Sequence, residues 1–158
     1  MPGTTAGSVA FWRRTLAYGW YAWGLSLCYW GIYGAEQAFF RAGIRAFSRA
    51  IRIWPQFAGA FYRRGLIRGR ELSEPQAGIA DLTRAIELDP TWPAPYLQRG
   101  LFQRFHGDPR AAIADLERYL ALGGDPSWRG EAARQIAALQ AELADDAEDQ
   151  KARSGPLS

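Results

Sequence analysis

The chain has 158 residues, enough for one domain with short tails. It holds one Cys and one His and no Asn, which excludes an internal disulfide, a cysteine-based metal cluster and N-glycosylation. The formal net charge of +3 conceals a split: residues 1–70 carry ten Arg against one acid, Glu36, whereas residues 71–158 carry fifteen acids against nine bases.

Residues 1–10 are small and polar for most of their length and read as a flexible leader. Residues 11–36 hold an aromatic helix. From Thr15 to Ala35 there is no charge, a length sufficient to cross a bilayer. Yet Tyr18, Trp20, Tyr21, Trp23, Tyr29, Trp30 and Tyr33 are spread through the run, and Trp and Tyr favour the membrane interface over its centre. Gly19, Gly24, Gly31 and Gly34 suit close helix contact. The run is therefore open to three readings: a membrane anchor, a helix lying on the membrane, or a helix packed on the rest of the chain.

Phe40, Ile44, Phe47 and Ile51 recur at helical spacing and form a candidate core stripe. Arg41, Arg45, Arg49 and Arg52 form a second row, which either faces solvent or meets an anionic surface. Trp54-Pro55 ends this helix, because the residue before Pro is pushed out of helical geometry. A helix over 56–71 follows. Ser73-Glu74-Pro75 and Thr91-Trp92-Pro93 open later helices, with Ser73 and Thr91 as expected N-caps. His106-Gly107-Asp108-Pro109 is a turn, and Gly123-Gly124-Asp125-Pro126 is a break. Ser127 to Leu143 forms a last helix with Ile136, Leu139 and Leu143 on one side, and residues 144–158 are expected to be a disordered acidic tail.

These elements repeat. Phe61-Tyr62-Arg63-Arg64-Gly65 returns as Tyr96-Leu97-Gln98-Arg99-Gly100. Gly78-Ile79-Ala80-Asp81-Leu82 returns as Ala112-Ile113-Ala114-Asp115-Leu116, and Gly43-Ile44-Arg45-Ala46-Phe47 is an earlier copy. A recurrence of about 35 residues means stacked helical hairpins. The pattern resembles the tetratricopeptide repeat, from Phe61/Gly65 and Tyr96/Gly100 in first helices to Gly43/Phe47/Ala50/Pro55 and Gly78/Leu82/Ala85/Pro90 in second helices. Gly31, 34 residues before Gly65, marks a candidate first-helix copy, and Tyr119 departs from the pattern where Ala is usual, which predicts looser or reshaped packing. The fold expected over 37–143 is all-α: antiparallel helix-hairpin repeats, about three of them, with a C-terminal capping helix and the aromatic N-terminal helix in front.

The resemblance implies a groove lined by first helices. By repeat register this groove takes Tyr62, Leu66, Gly69 and Arg70 from one hairpin and Leu97, Leu101, Arg104 and Phe105 from the next, with Cys28 and Ile32 extending it. Its partner would be an apolar or amphipathic protein segment. Members that bind chaperones clamp a carboxylate with Lys and Asn on first helices; here Asn is absent and the single Lys is Lys151, which argues against that role. No catalytic constellation, cofactor motif, metal site or small-molecule site is legible. His106 reads as a turn residue, Cys28 as a buried apolar group, and Asp81 and Asp115 as partners of Arg84 and Arg118 on their own helices.

The first functional reading is thus a non-catalytic interaction scaffold held at a membrane by its N-terminal helix as an accessory or assembly subunit. Arg41, Arg45, Arg49 and Arg52 after the uncharged run outnumber Arg13 and Arg14 before it, which predicts a cytoplasmic repeat domain. The alternative is a cytoplasmic soluble adaptor whose aromatic helix packs on the array or on a partner. Nucleic-acid binding through the Arg-rich 41–70 region ranks below both, because the aromatics there lie at core spacing rather than as stacking platforms.

Overall fold

The computed structural model describes residues 5–34 and 36–153, of which residues 5–7, 152 and 153 are described in backbone only. Among the described residues seven helices follow one another: α1 Thr5–Gly34, α2 Gln37–Ile53, α3 Ala58–Glu71, α4 Pro75–Leu88, α5 Pro93–His106, α6 Pro109–Ala121 and α7 Pro126–Arg153. The described residues contain no strand. Consecutive helices pack as the hairpins α1/α2, α3/α4 and α5/α6, and α7 closes on α6. The chain forms two compact units, 1–90 with the first two hairpins and 91–158 with the third hairpin and α7.

The hairpins are built where two backbones approach over a missing side chain. A Cβ at Gly65 would stand 3.0 Å from the Gly78 carbonyl oxygen and 3.2 Å from Leu82 Cγ. At Gly100 it would stand 3.0 Å from Leu116 Cγ and 3.2 Å from the Ala112 carbonyl oxygen. Leu82 and Leu116 are fully buried at the same position of the recurring second helix. In the first hairpin that position is Phe47, and the residue facing it is Gly24, where a Cβ would lie 2.7 Å from Phe47 Cε1. The copy expected at Gly31 is thus displaced: Gly31 faces Phe40 instead, with a Cβ 3.0 Å from its ring. The cause is length. α1 runs on to Gly34, well past the crossing, whereas α3 and α5 end at Glu71 and His106 soon after theirs.

Within the first unit the uncharged run is a structural wall. Ala17 of α1 is buried with Ala50 of α2 and with Phe57 and Ala60 at the start of α3. Tyr18 and Tyr21 stack against Phe57 at ring separations of 4.9 and 4.8 Å. Cys28, Phe40 and Phe47 form a second buried cluster, against which Leu25, Ile67 and Leu72 pack. Aromatic pairs at these distances stabilise the fold beyond the effect of the area that they bury.

Several local expectations need correction. Among the described residues, no helix is long and apolar enough to cross a membrane. α1 has the length, but its Tyr, Trp, Gly and Arg content lowers its mean hydropathy below what a span requires. The transmembrane reading falls, and with it the basis for inferring which side of a membrane the repeats occupy. The leader expected over 1–10 is helical from Thr5, and the tail expected from 144 continues α7 as far as Arg153; residues 1–4 and 154–158 lie outside the described residues. Ser73 does not cap α4. It adopts the left-handed region at φ 55°, and Glu74 takes the cap position without a side-chain hydrogen bond. α5 likewise begins at Pro93 with Trp92 as N-cap. Two side-chain caps do form in the second unit: Asp108 accepts from the Arg110 N–H, and Asp125 accepts from the Ser127 N–H at 2.9 Å. These bonds from Ser127 hold the Asp125 carboxyl below the usual range.

Tyr119 reshapes the exit to α7 rather than loosening it. It is 2% exposed, its hydroxyl donates to the Asp125 carbonyl at 3.0 Å, and its ring lies against Gly124 so closely that no Cβ fits there.

Gly24→Leu, Gly65→Leu and Gly100→Leu are each expected to lower stability by about 1–3 kcal/mol through overpacking. Nothing lies within 4 Å of a Cβ at Gly19, so Gly19→Ala should raise stability by about 0.5–1 kcal/mol. Urea unfolding of the four variants checks the register, and equal effects at positions 19 and 24 would refute it.

Candidate interaction surface

The recurring acids are buried and bridge helices. Arg64 of α3 clasps Asp81 of α4 with two bonds, Nε to Oδ2 at 2.9 Å and Nη2 to Oδ1 at 2.6 Å. Arg68 adds a third at 2.9 Å. Arg99 of α5 repeats the clasp on Asp115 of α6 with two bonds of 2.7 Å. The expected pairing within each helix is not formed: Arg84 turns to Glu87 at 2.7 Å, and Arg118 is exposed. The planar guanidinium matches a carboxylate in two places, so one Arg neutralises a buried Asp and holds the two helices in register. Arg64 also reaches back to the Ser48 hydroxyl of α2 at 2.9 Å, tying the first hairpin to the second. The signal for this was in the sequence: Arg64 and Arg99 each precede a crossing glycine, and the second helix that follows each of them carries an Asp.

The residues expected to line a groove separate into kinds. On α3, Leu66 is buried, Tyr62 is half-buried and Arg70 is exposed. Burial pushes the Tyr62 hydroxyl above its usual range, partly offset by Arg63 and Arg70 beside it. On α5, Leu97 is 4% exposed and belongs to the core, Leu101 and Arg104 are half-buried, and Phe105 is 69% exposed. The Arg104 guanidinium lies 3.9 Å from the Glu142 carboxylate of α7 and 5.1 Å from the Phe105 ring. Leu66 and Leu97 are therefore packing residues. Tyr62 and Arg70 in one unit, and Leu101, Arg104 and Phe105 in the other, are the surface-facing remainder. Of the proposed extensions, Cys28 is buried and Ile32 is exposed.

The Arg41, Arg45, Arg49 and Arg52 row is exposed along α2. Arg45, Arg49 and Arg52 form one wall of a cleft of about 580 Å³ whose opposite wall is Trp20, Trp23 and Leu27 of α1. Arg49 lies 4.4 Å above the Trp20 ring, a cation–π contact. The sequence shows the Arg row and the aromatic run separately but not that they meet, because the pairing depends on how α1 and α2 cross. Among the described residues, no group of three His, Cys, Asp or Glu side chains is placed to hold a metal ion.

No family model matches the sequence, and no curated protein matches it. Solved structures do. The TPR domain of P58(IPK) is similar with a TM-score of 0.77 at 22% identity, over 88% of this chain and 36% of that one. The fold is that of the tetratricopeptide repeat. The first TPR domain of Spaghetti (RPAP3), bound to an HSP90 peptide, is similar with a TM-score of 0.63 at 20% identity, over 78% of this chain and 95% of that one. The Yersinia enterocolitica type III secretion chaperone SycD, in complex with a peptide of the translocator YopD, gives a TM-score of 0.63 at 11% identity, over 75% and 92% of the two chains. Within the TPR frame, α1, α3 and α5 are first helices, and the resemblance drawn from the repeats is borne out for the fold.

Asp81→Ala leaves Arg64 and Arg68 without their shared buried anion, and a loss of about 3–5 kcal/mol is expected in chemical denaturation. Adding Arg64→Met should recover part of it, and a double variant no better than the single would show that the clasp is not the source. The Cys28 thiol, 7% exposed and pushed up by burial to about 11, should resist alkylation until the protein unfolds. Its neutral form is favoured by the fold, so its contribution to stability is complete below about pH 9 and lost as pH rises through about 11. Rapid labelling of the native protein at pH 8 would contradict this burial.

Proposed function

We propose that the chain is a non-catalytic interaction module that binds an apolar or amphipathic segment of another protein. The observation that carries this reading is Tyr62 on α3, half-buried between Arg63 and Arg70 on the first-helix face. An aromatic ring beside two cations suits a segment with an apolar anchor and a neighbouring carboxylate. Support also comes from the similar TPR structures, two of which hold a peptide. The packing of α1 on α2 and α3 favours an adaptor whose aromatic helix is part of the array. Its recognition chemistry would differ from a Lys and Asn carboxylate clamp, since the cations on these first helices are Arg, and the chain has no Asn and a single Lys, Lys151. Such a module would act by holding a partner, as an accessory or assembly subunit does.

Selection of random dodecapeptides on the purified chain, followed by titration calorimetry, tests the proposal. Peptides joining apolar anchors with an acid should emerge, and Tyr62→Ala with Arg70→Glu should weaken them at least about tenfold, the effect of losing roughly 1.4 kcal/mol of contact. Selected peptides that bind the double variant as well as the native chain would refute this site.

A further inference from the structure

α1 has a flank that no other described helix covers. Trp12, Trp23 and Trp30 stand along it with 67%, 57% and 61% of their surface exposed, and Leu16 lies between them at 56%. These positions share one side of the helix and lie opposite Tyr18 and Tyr21, which touch Phe57. From Trp12 to Trp30 the row extends about 27 Å at 1.5 Å per residue. The adjoining wall of the same face is the Arg45, Arg49 and Arg52 row, across the cleft from Trp23. A straight ridge of indoles beside a parallel row of guanidinium groups is therefore one surface of the first hairpin.

Charge decides among the possible occupants. A second copy pressing the same face against this one would set Arg45, Arg49 and Arg52 against their own counterparts, with Glu36 as the only acid in residues 1–70. Like charges at that density oppose self-pairing. A protein partner would be expected to receive the indoles in pockets of its own, and it would have to cover a ridge that is long and straight. A lipid surface needs no matching pockets: Trp settles at headgroup level, and Arg meets phosphate.

We propose that this face docks on an anionic phospholipid surface, with α1 lying in the headgroup plane. Trp12, Trp23 and Trp30 reach the acyl boundary while Arg45, Arg49 and Arg52 contact lipid phosphates. The contact is peripheral, in keeping with a helix that lacks the apolar content to cross. It uses none of the residues of the peptide surface, so the two readings stand or fall separately.

The test is co-sedimentation of the full chain with vesicles of phosphatidylglycerol and phosphatidylcholine in about equal parts. Binding is expected to these vesicles and to fall sharply with added salt. Arg45→Gln, Arg49→Gln and Arg52→Gln together should lower partitioning on the order of 100-fold, about fivefold for each charge. In the unaltered protein, lipids brominated on the acyl chain should quench indole fluorescence, a readout that needs no variant. Absence of binding to anionic vesicles, equal binding to pure phosphatidylcholine, or a bound protein whose indoles are not quenched overturns the proposal. A chain that ignores vesicles but binds polyglutamate, or that dimerises in sedimentation equilibrium, overturns it in favour of an acidic chain or a second copy.

Discussion

Everything in this molecule depends on how closely paired helices approach. At each crossing a glycine of the first helix faces one large residue of the second: Gly24 with Phe47, Gly65 with Leu82, Gly100 with Leu116. Without a Cβ the facing side chain sinks against the backbone, and the neighbouring small residues bring the helices nearer still. The shared geometry makes each hairpin a copy of the last, and the larger Phe47 is accommodated in a hairpin whose helices run longer.

Close approach also brings polar groups inward, and the clasp of Arg64 on Asp81 and of Arg99 on Asp115 answers this. An unpaired buried carboxylate would be costly, whereas a bidentate partner satisfies both oxygens. The first hairpin follows another route. It has Ala46 where the later hairpins have Asp, so its interior is aromatic and aliphatic, and the Ser48 hydroxyl gives it a polar tie to Arg64 of the second hairpin. The basic excess of residues 1–70 is the outward side of this choice. Glu36 is the one acid in the sequence of the first hairpin, against the four Arg of the α2 row.

The fold was legible because repetition multiplies weak signals. One Gly four residues after an aromatic says little, but the same spacing twice, with Asp and Leu at matched positions downstream, identifies a hairpin and its partner face. What was not legible depended on lengths and crossings. Gly31 stood at the right offset and was still the wrong residue, since the offset assumes equal helices. Asp81 and Asp115 were assigned to Arg84 and Arg118 because local spacing is visible and contact between helices is not. The uncharged run resembled a span in length alone; its aromatic residues belonged partly to a core that no single helix reveals. For the surface, register alone gave a row of candidates on α3 and another on α5, and it could not show that Arg70 and Phe105 are exposed while Leu66 and Leu97 are buried.

The position of Ala17 has a mechanical consequence. It is fully buried where α1, α2 and α3 meet, and Tyr18 and Tyr21 flank it on Phe57. α1 is therefore not a detachable handle. Removing it strips cover from Phe40, Phe47 and Phe57 at once, three rings that are now almost wholly hidden. A chain cut back to the start of α2 would present those rings as sticky surface and be prone to aggregate, so any proteolytic clip that releases α1 would act as a degradation signal for the whole first unit rather than as the liberation of a working fragment.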